Sequence, residues 1–389
     1  MASRAALAFL GQEDIYLSAD PEVTYFVEKY TGQTLYSSRV IRIQFPGDNK
    51  VTFGSERAIL IPKLGDLITG MFLKIIPPFL GSGVSVLDSA GTLMIQYIEL
   101  YIGTELIERI YGEYIEMKFD IEIPQGKQSA LQGLIGKYLI TNPSVNATYT
   151  IPIPFSILQR GLPTCAFQED VIIRVVWNPS ILFTSPAVSV NTAFSAYIDT
   201  EYTYIGDKEI DYIKNSPKTY LIEQVQREEF FAPVGIISVN CLGNFLNPVK
   251  EIFWVIQNDS TRGYDYTTNN SYLSNGTVFS QLSSLVLTFN TADRISVDVG
   301  NATFLGLIQP LEYHTKIPSR LFYMYSFSLD PEHPLNPTGS VNLGKIKNQN
   351  FKFVLNPSSA NRNIRIYAVS YNIVYIAEGH ANMLFSNFN

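Results

Sequence analysis

At 389 residues the chain exceeds what one ordinary hydrophobic core organises, so two domains of roughly 190 residues each are expected. Hydrophobic residues make up 46 % and charged residues 16 %, a composition that excludes intrinsic disorder. A net charge of −7 with no run of basic residues argues against direct binding to a phosphate backbone, which needs clustered Lys and Arg.

In chain order, the first feature is a short apolar run over 5–10 that stops at Gly11. It is too short for a secretory leader, and nowhere does the sequence approach the ~20 apolar residues of a membrane span, so a soluble protein made in the cytosol is expected. Strand signals then dominate. Residues 40–45 (Val-Ile-Arg-Ile-Gln-Phe), 197–205 and 351–355 alternate at the β period, whereas 71–76 and 252–256 are continuous apolar runs suited to strands buried on both faces. Turn clusters at 46–49 and 336–339 separate such runs. Helical spacing is rare: Leu106, Ile107, Ile110, Tyr111, Tyr114 and Ile115 form one candidate, and 131–139 a second. Residues 207–217, polar with a proline stop, read as a linker with a short helix. Two long connections, 77–91 and 258–283, occupy corresponding places in the two halves, where variable surface function is expected.

Three segments recur in the same order about half a chain apart. Residues 24–29 (Thr-Tyr-Phe-Val-Glu-Lys) are echoed by 219–224, residues 175–180 (Val-Val-Trp-Asn-Pro-Ser) by 353–358, and 202–206 by 373–377. They indicate two copies of one β-domain with loops of different length. Many short strands with Gly/Pro turns make that domain a sandwich. The 24 Tyr and 24 Phe fit aromatics buried between sheets and displayed at contact surfaces.

Reactive chemistry is sparse. Cys165 and Cys241 lie far apart in apolar or neutral stretches and read as buried free thiols. Of three histidines, His314 has a carboxylate two residues away, Glu312, which on a strand would give half a metal site with no second His or Cys near it. His333 lies in a Pro-rich loop, no Gly-x-Ser-x-Gly elbow accompanies a serine, and Gly81-Ser82-Gly83 does not open a helix as a phosphate cradle would. Asp293 and Asp298 are indistinguishable from solvated surface. No catalytic residue, cofactor or metal site is assigned. Sequons occur at Asn146, Asn258, Asn269, Asn275 and Asn301, three of them crowded into 258–283 beside Tyr264, Tyr266 and Tyr272. That loop is expected to be exposed, with Asn258, Asn269 and Asn275 the candidate glycosylation positions; without a leader, sequons arising by chance are the preferred reading.

The opening Gln12-Glu13-Asp14-Ile15-Tyr16-Leu17, followed by Pro21-Glu22-Val23-Thr24-Tyr25-Phe26, resembles that of the major capsid proteins of nucleocytoplasmic large DNA viruses and related virophage lineages. So do Phe53-Gly54 and Gly65-Asp66-Leu67-Ile68, the strand Asn247-Pro248-Val249-Lys250-Glu251-Ile252-Phe253-Trp254-Val255-Ile256-Gln257, and Ser326-Phe327-Ser328-Leu329-Asp330-Pro331-Glu332 with Pro337-Thr338-Gly339-Ser340-Val341-Asn342. The tail 366–386 fits as well. Where the family pattern carries a histidine before the proline, this chain has Leu246-Asn247, a departure without expected functional consequence. The resemblance runs through nearly the whole chain, in order.

What it implies is an all-β fold of two tandem eight-stranded antiparallel jelly-roll barrels with short helices in loops. The expected division is an N-terminal arm over 1–21, a first jelly roll over 22–206, a linker over 207–217 and a second jelly roll over 218–389. The implied function is structural: a homotrimer of pseudo-hexagonal outline that tiles an icosahedral shell against neighbouring capsomers, with minor capsid or penton proteins as further partners. The shell would be assembled in the host cytoplasm, with no direct contact to nucleic acid. The arm residues Ala5, Leu7, Phe9 and Leu10 would lie on the inner face against minor proteins or a membrane surface; the alternative is a short helix packed on its own barrel. Two rivals share the architecture. One is a scaffolding relative absent from mature particles. The other is a glycan-processing enzyme with a carboxylate-lined cleft between the rolls.

Overall fold

The computed structural model describes residues 8–9, 11–22, 24–26, 32–137, 148–267, 280–333 and 336–385. Two compact units result, residues 1–35 and 36–389. In the first, helix α1 (Gln12–Ser18) starts where the Gly11 N–H donates to the Asp14 carboxylate at 2.9 Å, and none of its side chains is buried.

The second unit is built from strands. In chain order they are β1 (Ser37–Gln44), β2 (Glu56–Ile61), β3 (Leu67–Ile76), β4 (Ile95–Ile102), β5 (Glu105–Tyr111), β6 (Tyr149–Pro152), β7 (Val171–Trp177) and β8 (Phe194–Tyr204). A second set follows: β9 (Lys218–Ala232), β10 (Ser238–Gly243), β11 (Pro248–Asn258), β12 (Leu282–Phe289), β13 (Ala292–Ile295), β14 (Phe322–Ser326), β15 (Gln349–Leu355) and β16 (Arg362–Ala377). The first set forms two antiparallel sheets of order β1-β8-β3-β6 and β2-β7-β4-β5. Adding eight to each label reproduces the other two, β9-β16-β11-β14 and β10-β15-β12-β13. The result is a double jelly roll.

The repetition extends to irregularities. The β3–β8 register steps at Glu201/Tyr202, leaving Thr69 unopposed, and β11–β16 steps at the equivalent place, leaving Lys250 unopposed. Between β4 and β7 the step falls at Gln96, and between β12 and β15 at Ser283. An extra residue bends a strand and sharpens its twist, so matching bulges curve the two barrels alike. The Asn-Pro-Ser echo has a direct cause here. Asn178 donates its amide to the carbonyls of Leu93 and Ile95 (2.8 and 3.2 Å), and Asn356 donates likewise to Ser280 and Leu282 (2.7 and 3.4 Å). Each asparagine staples the end of one strand to the start of its sheet neighbour, a bond that aspartate or leucine could not make.

The other echoes fit less well. Residues 202–204 and 373–377 lie on the equivalent strands β8 and β16, but the bulge register makes Tyr202 the counterpart of Ser370, three residues off the sequence match. The echo of 219–224 is in error. The strand equivalent to β9 is β1, which begins at Ser37, whereas Thr24 to Phe26 belong to the first unit and residues 27–29 lie outside the described residues.

Helices fill the connections: α2 (Ala90–Leu93), α3 (Gly112–Glu122), α4 (Gln128–Ile135), α5 (Asp207–Lys214) and α6 (Gln309–Tyr313). The second helix candidate of the sequence is α4, closed by Gly136 at φ +75°, and the linker helix is α5. The first candidate is corrected. Residues 105–111 form a strand paired with β4, Ile110 opposite Ile98, and the helix begins only at Gly112. Its isoleucines recur at a spacing that a strand and a helix both accept, and pairing with β4 decides the outcome. Gly112 marks the switch, because a Cβ there would come within 2.2 Å of the Ile95 carbonyl and 2.4 Å of that of Thr92.

The second-barrel sheet β9-β16-β11-β14 is buried on both faces. Ile252, Trp254, Ile256 and Tyr323 join one core, that of the second barrel, while Phe253, Val255, Phe322 and Met324 join the larger core that contains the first barrel. This accounts for the unbroken apolar run on β11. On β3 the same kind of run alternates between buried and half-buried, so there only one face is fully covered.

Candidate functional site: the seam between the two barrels

Helix α3 lies in the seam. Tyr114 packs against Phe253 and Tyr367 with ring centroids 6.0 and 6.4 Å apart. The acidic residues Glu113, Glu116 and Asp120 recur at helical spacing, so one face of the helix turns carboxylates inward. Glu113 takes Arg365 bidentately (2.6 and 2.7 Å), with the Tyr367 and Tyr266 hydroxyls at 2.5 and 2.8 Å. Burial alone would raise its pKa, but the Arg365 charge and these donors hold it below the usual carboxylate range.

One and two turns on, Glu116 and Asp120 meet cations from both barrels. Fully buried Lys137 lies 3.2 Å from Glu116 and 2.9 Å from Asp120. From the connection before β14 come Lys316, 3.0 Å from Asp120, and Arg320, 3.1 Å from Glu116 and 2.7 Å from Asp88. The backbone N–H of Ser319 donates to Asp120 at 2.7 Å. Three carboxylates thus face three cations. Burial works against the Asp120 charge, yet Lys137, Ser319 and Lys316 keep its pKa below the ordinary value.

A second cluster continues the seam. Lys250, the bulged residue of β11, donates to Glu223 (2.5 Å) and to the Pro331 carbonyl (2.7 Å). His314 sits between Glu251 at 3.2 Å and Glu332 at 3.0 Å. Burial would lower its pKa, but the two carboxylates raise it to about 9, so the ring stays cationic at neutral pH. Glu108 of β5 accepts from the N–H groups of Ser156 and Ile157 (2.8 and 2.9 Å) and from the Ser156 hydroxyl (2.8 Å), which in turn accepts from the Glu223 N–H of β9 (2.7 Å). Burial pushes Glu108 up to about 7 despite those donors. Elsewhere along the seam, the Gln168 N–H donates to the Gly379 carbonyl at 2.8 Å and His380 pairs with Glu169 at 2.5 Å.

Between these contacts lies a cleft of about 400 Å³ lined from both barrels, with Gln96, Tyr111 and Leu182 on one side and Arg227, Gln257, Asn258 and Asn363 on the other. Its carboxylate Glu113 is already held by Arg365 and two tyrosines. Among the described residues no group of His, Cys, Asp and Glu could hold a metal ion.

The expected exposed loop needs correction at its start. Asn258 is 1 % exposed, at the last position of β11, and its carboxamide oxygen accepts from Ser358 at 3.4 Å. Tyr264 and Tyr266 are buried as well, folded into the seam. The reason is that β11 is central in a sheet covered on both faces, so its polar last residue is enclosed by the neighbouring turn. Asn269, Asn275, Tyr272 and Asn146 lie outside the described residues. Asn301 is exposed, and its side-chain oxygen accepts from the Phe304 N–H at 2.9 Å. Of the arm residues, Phe9 is 82 % exposed; Ala5, Leu7 and Leu10 lie outside the described residues. Glu312 and His314 do not share a strand face: Glu312 is an exposed residue of α6, and His314 follows the helix, buried. Cys241 is buried and Cys165 partly so, both as free thiols. The acidic face of α3 was not foreseen, although its i, i+3, i+7 spacing within 112–122 was there to find.

Two family profiles match consecutive parts of the chain: the major capsid protein N-terminus over residues 24–215, and the large eukaryotic DNA virus major capsid protein over 209–382. The major capsid protein of Pyramimonas orientalis virus is 24 % identical, with 98 % of each chain covered. That of Paramecium bursaria Chlorella virus 1 is 23 % identical at the same coverage. Among solved structures, the quasi-atomic capsid of the latter virus superposes with a TM-score of 0.79 at 20 % identity, covering 94 % of this chain and 100 % of that one. The Faustovirus major capsid protein superposes at 0.75 with 10 % identity, covering 97 % and 96 %.

Proposed function

This chain belongs to the major capsid protein family of large eukaryotic DNA viruses, a structural and not an enzymatic family, and from that premise we propose that three copies associate into a pseudo-hexagonal capsomer. The observation that carries this is the repetition of sheet order and bulges between the two barrels. One chain then offers two similar blocks, and three chains six, so a trimer can meet six neighbours through similar sides. In this reading the arm is 1–21, the first jelly roll 22–206, the linker 207–217 and the second jelly roll 218–389. The arm, with Ala5, Leu7, Phe9 and Leu10, faces inward toward minor capsid or penton proteins or a membrane surface. Asn269 and Asn275 are, in this reading, the glycosylation positions of the outer surface, whereas Asn258, Tyr264 and Tyr266 at the start of the same connection are buried. Assembly takes place in the host cytoplasm.

The seam supports this role physically. A shell tile must transmit force between its two halves without hinging. Buried, mutually neutralising charges at several points along the seam resist sliding, because displacement would leave charges unpaired in low dielectric. The test is the solution mass by light scattering after size exclusion. Three times 43.7 kDa, about 131 kDa, is expected. A monomer of 43.7 kDa at every concentration overturns the capsomer reading.

A further inference from the structure

The cleft in the seam has features that a merely structural gap does not need. Its ionisable lining is balanced, with Arg227, Arg262 and Arg365 against Glu113, Glu229 and Asp259. A net anion or cation therefore gains little there. Its floor is planar and held in place: the Arg227 guanidinium lies 5.5 Å from the Tyr111 ring centroid and 6.0 Å from that of Tyr367, and one of its nitrogens is tied to Glu229 at 2.8 Å. The buried Nε of Arg227 has no partner among the described residues. Neither Gln96 nor Asn363 makes a side-chain hydrogen bond among the described residues, although both line the cleft. Leu182, 44 % exposed, supplies an apolar wall.

Spare donors and acceptors thus alternate around a flat, preorganised guanidinium beside a small apolar patch, in a volume of ordinary ligand-pocket size. The planar amide, carboxylate and guanidinium groups each present two polar atoms at a spacing that vicinal hydroxyls match, and the leucine suits the C–H face of a sugar ring. We propose that this cleft binds a neutral saccharide of one or two rings, the Arg227 guanidinium and the Asn363 and Gln96 amides pairing with its hydroxyls.

The test is titration of the purified full-length protein, in the assembly state it adopts, with maltose, cellobiose and N,N′-diacetylchitobiose, followed by saturation-transfer NMR and calorimetry. At least one disaccharide should bind with a dissociation constant of about 1 mM or tighter. The Gln96→Ala/Asn363→Ala double variant should weaken that binding about tenfold, or 1.4 kcal/mol, with an unchanged melting temperature. Arg227→Leu gives an independent second readout. No binding by any of the three sugars overturns the proposal. So does binding that both variants leave intact, or inorganic phosphate or glucuronate binding more tightly than the neutral sugars. Trimer formation is measured separately, so failure here leaves the capsomer reading standing.

Discussion

At the residue scale, the chain keeps a carboxyl group poised near neutrality inside a protein that needs no proton chemistry. Glu108 is 2 % exposed, and burial raises its pKa from 4.5 to about 7. Between those values the unfolded chain has released the proton that the folded chain retains. Stability therefore falls as pH rises through that window and is level above it. The difference amounts to about 3 kcal/mol, at 1.4 kcal/mol per unit. We expect the urea midpoint of the protein to drop between pH 5 and pH 8 by more than that of a Glu108→Gln variant, whose side chain does not titrate. Parallel pH profiles for the two proteins would show that Glu108 is not the group responsible. His314 works with the same sign, in a higher pH window. Its folded pKa of about 9 stands above the ordinary 6.5, so its contribution is complete below 6.5 and is lost as pH rises through 9.

At the element scale, α3 is what joins β5 to the seam. It can start where it does only because residue 112 has no side chain. A Cβ at Gly112 meets two backbone carbonyl oxygens, and neither can swing away as a flexible side chain would. Gly112→Ala is therefore expected to cost more than the usual point mutation, above about 4 kcal/mol, and to abolish soluble expression or lower the melting temperature sharply. A control at Gly133, where a Cβ meets nothing within 4 Å, should be near neutral or slightly stabilising within its helix. Equal behaviour of the two variants in thermal melts would refute this account of the strand-to-helix switch.

At the scale of the whole molecule, the two barrels are fastened by charge as well as by apolar surface. Asp120 is fully buried and gathers Lys137, 17 residues along the chain, together with Lys316 and Ser319, which reach it across 196 and 199 residues of sequence. Removing its charge leaves Lys137 buried with Glu116 as its remaining carboxylate, an arrangement that costs about 3–5 kcal/mol in comparable cases. Asp120→Asn should lower the denaturant midpoint accordingly and broaden or split the transition as the barrels lose their coupling. A variant as stable and as cooperative as the parent would mean that apolar packing alone holds the seam.

How much of this was legible in the sequence follows from the range of the forces involved. Strand period, turn residues and repeats are local. They disclosed a β-protein of two similar halves, the helices α4 and α5, and the asparagines 178 and 356, whose amide staple requires that residue at that point in each barrel. Local pattern misled where two structures accept it: the isoleucines of 105–111 fit a helix until β4 pairs with them, and Asn258-Asp259-Ser260 looks like an exposed loop until the sheet around β11 closes over its first residue. The seam itself could not be read. Whether Glu116 and Asp120 are surface charges or buried anchors depends on Lys316, Ser319 and Arg320, which only the packed tertiary structure brings to them. The sequence by itself determined the elements, because backbone geometry and hydrophobic period act over a few residues. The tertiary structure alone decided the seam and its cleft, because pairing a charge in low dielectric depends on neighbours in space and not along the chain.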